Sequence, residues 1–179
     1  MPFINLSTSP NDLPVVPLWI NGNSQPVSEK DPLFPVISSV KDKPIHFAVS
    51  ASPAAAVQAC DSAATAFKSW RETSPRFRRS LLLKAADILT RRAGEIAESQ
   101  IAETSCPEMF AKFNIVTGIE YVREIAAATS ELRGTVPQRA TGPDGNELGG
   151  LTVTVREPVG VLLIIPPYVL HLIFDLLDH

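Results

Sequence analysis

The sequence is poor in the residues that most often carry chemistry. It has two cysteines, Cys60 and Cys106, and three histidines, His46, His171 and His179. The cysteines lie far apart and form no CxxC or Cys/His spacing, which excludes a zinc ribbon and a disulfide framework and fits a reduced, intracellular protein. The histidines bear no spacing relation to one another, so no metal-ligand cluster is expected. Glycine is also sparse, and Gly118 and the Gly149-Gly150 pair make no phosphate-cradling pattern. Positive charge is not in excess: 16 Lys and Arg stand against 19 Asp and Glu, for a formal net charge of -3. That balance argues against nucleic acid, which usually selects a clearly basic domain. The segment Met1 to Pro17 has neither a basic stretch nor the apolar run of a signal peptide, so the expected location is cytoplasmic.

What the chain does have is an ordinary globular composition, 45% hydrophobic and 20% charged over 179 residues. That is enough for one domain or one and a half, with a real core. Many of its 16 prolines precede residue 55, which predicts an irregular N-terminal segment. Residues 1–17 read as a loose arm. Leu18-Trp19-Ile20-Asn21-Gly22 reads as a short strand entering a turn, because Asn-Gly favours the positive φ of a hairpin. Val27 to Lys43 alternates weakly and is interrupted by prolines, whereas His46 to Ser50 reads as another short strand.

The middle is helical, with clear start signals. Ser52 precedes Pro53 and Ser74 precedes Pro75, each pair combining an N-cap with the position where a missing N–H costs nothing. On the first helix Val57, Cys60, Ala64, Phe67 and Trp70 form one apolar stripe. On the second, Phe77, Leu81, Ala85, Ile88 and Leu89 do the same, with most of the arginines between Arg76 and Arg92 off the stripe. A third helix, about Gly94 to Cys106, should bury Ile96 and Ile101. A fourth should run from Pro107 to about Arg133, with Phe110, Phe113, Val122, Ile125, Ala126 and Leu132 inward and Gly134 ending it. Beyond it, Thr135 to Ala140 and Leu151 to Val155 flank the turn Gly142-Pro-Asp-Gly145 and suggest a hairpin. Val159 to Ile165 is the only unbroken apolar run, bracketed by Pro158 and Pro166, and reads as a strand buried on both faces of a parallel sheet.

Individual chemical candidates are weak. Cys60 sits on an apolar stripe and Cys106 at a helix end, with no histidine near either in sequence. Both read as small buried hydrophobes rather than nucleophiles. The arginines between Arg71 and Arg92 could receive phosphate, but their spacing fits a solvated helix face better. From Pro158 to Phe174 there is no charged residue, a length near the lower limit for a membrane span. Pro166-Pro167, His171 and the lack of a basic flank favour a buried strand over a tail anchor.

Several stretches together resemble the N-terminal part of the aldehyde dehydrogenase family. They are Trp19-Ile20-Asn21-Gly22; Ala63-Ala-Thr-Ala-Phe67 with Trp70; Arg76 with Arg78 and Arg79 before Leu81 to Leu89; and Arg156-Glu-Pro-Val-Gly-Val161. They follow the family's order and spacing to about Tyr168. The resemblance implies an α/β fold with four parts: an N-terminal arm and short strands (1–52), the helical part of the cofactor-binding domain (53–134), an oligomerisation-type β-hairpin (135–157), and the first strand of a Rossmann-like sheet with a divergent tail (158–179). It also implies NAD(P)-dependent oxidation of an aldehyde to a carboxylic acid. In that reaction a cysteine thiolate attacks the carbonyl, an asparagine amide helps to hold the oxyanion, and a glutamate activates water.

In the family, the Glu-Pro-Val-Gly-Val strand runs into an Ile-x-Pro-Trp-Asn motif whose backbone touches the cofactor. Carried onto this sequence, the cofactor-contacting positions are Ile165, Pro166, Pro167 and Tyr168, with Tyr168 in place of tryptophan. Val169 stands in place of the asparagine and has no amide to donate. Glu147-Leu-Gly-Gly150 spells the family's general-base motif, but it precedes the strand instead of following it and reads as hairpin surface. No catalytic residue and no metal ligand is therefore assigned. The change of character after Tyr168 reads as a truncation, and the first expectation is a truncated aldehyde dehydrogenase with little activity alone. A non-catalytic module that binds full-length dehydrogenase subunits, or forms homo-oligomers, is the alternative. A tail-anchored membrane protein ranks third. Aromatic aldehydes are weakly favoured as the substrate class by likeness around Glu131 to Gln138, while NAD and NADP stay open.

Overall fold

The computed structural model describes residues 12–137, 143–146 and 151–165. Its strands come first. β1 (Val15–Val16), β5 (Lys43–Val49) and β4 (Leu33–Ser38) form a three-stranded sheet in the order β1-β5-β4, with β1 parallel to β5 and β4 antiparallel to it. β2 (Trp19–Ile20) and β3 (Asn23–Ser24) form a separate hairpin. Its turn residues Asn21 and Gly22 have φ of 54° and 71°, the left-handed pair that a two-residue hairpin turn requires.

Two strands depart from expectation. The segment read as a loose arm through residue 17 contributes β1, and Val15 in it is fully buried. The proline-interrupted stretch after Val27 contains β4, in which Pro35 pairs with Phe47. Among the described residues β4 pairs on one side only, and an edge strand can tolerate the N–H that proline lacks.

Four α-helices follow: α1 (Pro53–Trp70), α2 (Pro75–Arg91), α3 (Ala93–Thr104) and α4 (Glu108–Ala128). Both serine caps form as expected. Ser52 Oγ accepts from the Ala55 N–H at 3.1 Å, and Ser74 Oγ accepts from the Phe77 N–H at 3.2 Å. α3 ends at Ser105, whose φ of 56° is left-handed. Its hydroxyl accepts a 2.7 Å hydrogen bond from Ser39 Oγ at the end of β4, tying sheet to helix.

The core lies among α2, α3 and α4 and is built largely from small side chains. Ala86, Ala97 and Ala111 are buried with Ile115, Ile119 and Val122, and Leu82, Leu89, Ile96 and Ile101 pack against them. Small residues let helix backbones approach closely, which is why the inward faces differ from those drawn by large apolar residues. On α2 Ala86 is buried, with Leu82 and the expected Leu89 half-buried beside it, while the expected Phe77, Leu81, Ala85 and Ile88 are exposed. On α4 the buried face is Ala111, Asn114, Ile115, Gly118, Ile119, Val122 and Ala126, and Phe113 is exposed. The helix also ends earlier than expected, passing into a 3-10 turn, Thr129–Glu131, so Leu132 lies outside it and exposed.

α1 stands apart from that core and buries no residue fully. Ala59, Ser62, Ala63 and Ala66 line its contact with the β2–β3 hairpin at Trp19 to Gly22. Of the expected stripe only Phe67 is half-buried, whereas Val57, Cys60, Ala64 and Trp70 are exposed.

Candidate functional site

The region that should carry function begins at Gly134. A Cβ on this residue would collide with the Thr154 carbonyl oxygen, so the backbone crosses there only because the side chain is hydrogen. Gly134 therefore does not end a helix, as its position suggested, but admits the second arm of the hairpin. Next to it, Thr135 and Thr154 form an antiparallel bridge. The Thr135 N–H donates to the Thr154 carbonyl at 3.1 Å and the Thr154 N–H returns to the Thr135 carbonyl at 2.8 Å. Their hydroxyls lie 2.6 Å apart. Between these arms, Asp144 accepts from the Asn146 backbone at 3.2 Å and from its side-chain amide at 2.8 Å, closing a local turn beside Gly145, whose φ is 76°. These two bonds hold the Asp144 carboxyl below its ordinary range. Of the expected hairpin the described residues show one bridge and one turn; the segments between them lie outside the described residues. Leu151, Val153 and Val155 project into solvent.

The apolar run that follows is not a buried strand in this chain. No strand is assigned over Val159 to Ile165, and Val159, Leu163 and Ile165 are 88%, 86% and 83% exposed. Gly160 has φ +113°, which departs from regular extended geometry and is open to glycine but not to its β-branched neighbours. A strand also needs ladder partners for its N–H and C=O groups, and this run has none among the described residues. Of the positions that the resemblance suggested for cofactor contact, Ile165 lies at the exposed end of this run. Pro166, Pro167 and Tyr168 lie outside the described residues, as do Val169 and Glu147 to Gly150.

Elsewhere the described residues bring together no catalytic set. Cys60 is exposed on the outer side of α1, which corrects its reading as a buried hydrophobe; that reading assumed that the large-residue stripe faced the core. Cys106 is half-buried against the α2–α4 core, closer to expectation. No group of three or more His, Cys, Asp or Glu side chains among the described residues could hold a metal ion. His46 is buried on β5, with Nε2 3.7 Å from Glu103 Oε1 on α3. The pair joins sheet to helix, and its sequence signal was only that His46 sits in a short apolar strand. A cavity of about 180 Å³ lies between the β2–β3 hairpin and the start of α1. Two polar side chains of its wall are engaged locally: Gln25 Nε2 donates to the Ile20 and Asn23 carbonyls, and Asp31 accepts from the Ser28 N–H.

With that geometry in hand, comparison with known proteins is decisive. The profile of the aldehyde dehydrogenase family matches residues 27–173, most of the chain. The chain belongs to the aldehyde dehydrogenase family. It is 30% identical over 151 residues to a salicylaldehyde dehydrogenase of Pseudomonas sp. (strain C18), covering 84% of this chain and 29% of that protein. It is 34% identical over 146 residues to a mitochondrial aldehyde dehydrogenase of Leishmania tarentolae, covering 80% and 28%. Among solved structures it resembles a salicylaldehyde dehydrogenase from Pseudomonas putida G7 in complex with salicylaldehyde, with a TM-score of 0.72 and 26% identity over 82% of this chain and 29% of the other. The chain thus spans under a third of the length of these aldehyde dehydrogenases and corresponds to the N-terminal portion of the family. The mixed α/β architecture expected from the resemblance agrees with these neighbours. Among the described residues no helix is long and apolar enough to cross a membrane.

The aldehyde dehydrogenase family implies a nicotinamide dinucleotide, and the described residues do not by themselves fit one. Among the described residues no glycine-rich turn leads from a strand into a helix N-terminus, and Ile165 is exposed rather than cradled.

Proposed function

We propose that this chain supplies the scaffold portion of an NAD(P)-dependent aldehyde dehydrogenase and does not oxidise aldehydes on its own. The observation that carries the reading is the exposed run Val159 to Ile165, which has no strand partner among the described residues, within a family match that covers under a third of each relative. Family chemistry needs a thiolate, an oxyanion donor and a water-activating carboxylate converging on one carbonyl. Val169 stands where the amide donor belongs, and Cys60, on α1, and Cys106, between α3 and α4, both lie outside the apolar run. A bound nicotinamide cofactor would supply the hydride acceptor in the parent reaction; the part of this chain would be to contribute fold.

The substrate class of the parent reaction is an aldehyde, and we favour an aromatic one. Support comes from the relatives' own names, among them salicylaldehyde dehydrogenase and vanillin dehydrogenase of Pseudomonas. A second reading, binding to full-length dehydrogenase subunits or to another copy of this chain, draws on the Thr135–Thr154 bridge and on its exposed described neighbours Leu151, Val153 and Val155. Calorimetric titration of NAD⁺ and NADP⁺ into the purified chain tests the first reading. No saturable binding is expected; a stoichiometric, saturable isotherm would overturn it. Co-purification with a full-length homologue, lost in a hairpin deletion, would support the second.

A further inference from the structure

We draw no further inference here: the strongest candidate, the solvent-facing aliphatic stripe of Val159, Val161, Leu163 and Ile165 after the hairpin, is an unpartnered apolar face, and nothing in the structure shows what covers it.

Discussion

Replacing Ile115 by alanine should destabilise the chain far more than replacing Phe113, although phenylalanine is the larger side chain. Ile115 is 2% exposed and belongs to the core shared by α2, α3 and α4, whereas Phe113, two positions earlier on α4, is 57% exposed. Ile115→Ala removes three methylene-sized groups, roughly 2.4 kcal/mol of transfer free energy. The cavity left between closely packed helices adds to this, for a total of about 2–5 kcal/mol. That is a large part of the roughly 5–15 kcal/mol that holds an ordinary domain together. Phe113→Ala gives up only a partly covered surface and should cost under about 1 kcal/mol. Urea unfolding followed by far-UV circular dichroism measures both, the change being read from the midpoint at constant slope. Should Phe113→Ala cost as much as Ile115→Ala, the inward face of α4 has been assigned wrongly.

Two further outcomes follow from local geometry. Gly134→Val should open the Thr135–Thr154 bridge, because its side chain meets the Thr154 carbonyl; the two amides should lose hydrogen-exchange protection while α2 to α4 keep theirs, and unchanged protection would refute the close approach. The Glu95 carboxyl is held below its ordinary range by its hydrogen bond and charge pairing with Arg92, and Glu108 likewise by Lys112. A lowered folded-state pKa contributes stability above the unfolded carboxylate range and loses it as pH falls through the folded value. Both groups are exposed, so the effect should be small and confined to the first turns of α3 and α4. Side-chain carboxyl NMR titration should therefore place both midpoints below that of a model glutamate, and midpoints at or above it would contradict the pairing.

How much of this was legible in the sequence depends on how local each signal is. Ser52-Pro53, Ser74-Pro75 and Asn21-Gly22 specify backbone geometry within a few residues, and all three do what their chemistry predicts. Helix faces are less local. α2 carries two adjacent apolar stripes, and weighting by size selects Phe77, Leu81 and Ile88 over the line through Ala86 that is buried. The same bias placed Cys60 inside. Only the partner helix decides between such stripes, and the partner's own contact residues, Ala111 and Gly118, are small. β1 is too short to announce itself, and β4 contains Pro35, which a sequence pattern treats as a break unless the strand is known to lie at an edge. As for the site, the family was readable from Trp19-Ile20-Asn21-Gly22 and Glu157-Pro-Val-Gly-Val161. The run Val159 to Ile165, which overlaps the latter motif, was expected to be buried, because its apolar pattern reports an environment that parallel neighbours would provide.

The central proposal, that this chain supplies aldehyde dehydrogenase scaffold and does not turn over aldehydes alone, is tested most directly by turnover. The purified chain would be incubated with NAD⁺ or NADP⁺ and a panel of aromatic and aliphatic aldehydes while reduced cofactor is followed by absorbance. No reduced cofactor should form above the enzyme-free rate. Aldehyde-dependent reduction that survives rigorous purification and is abolished in a Cys60→Ser or Cys106→Ser variant would contradict the account.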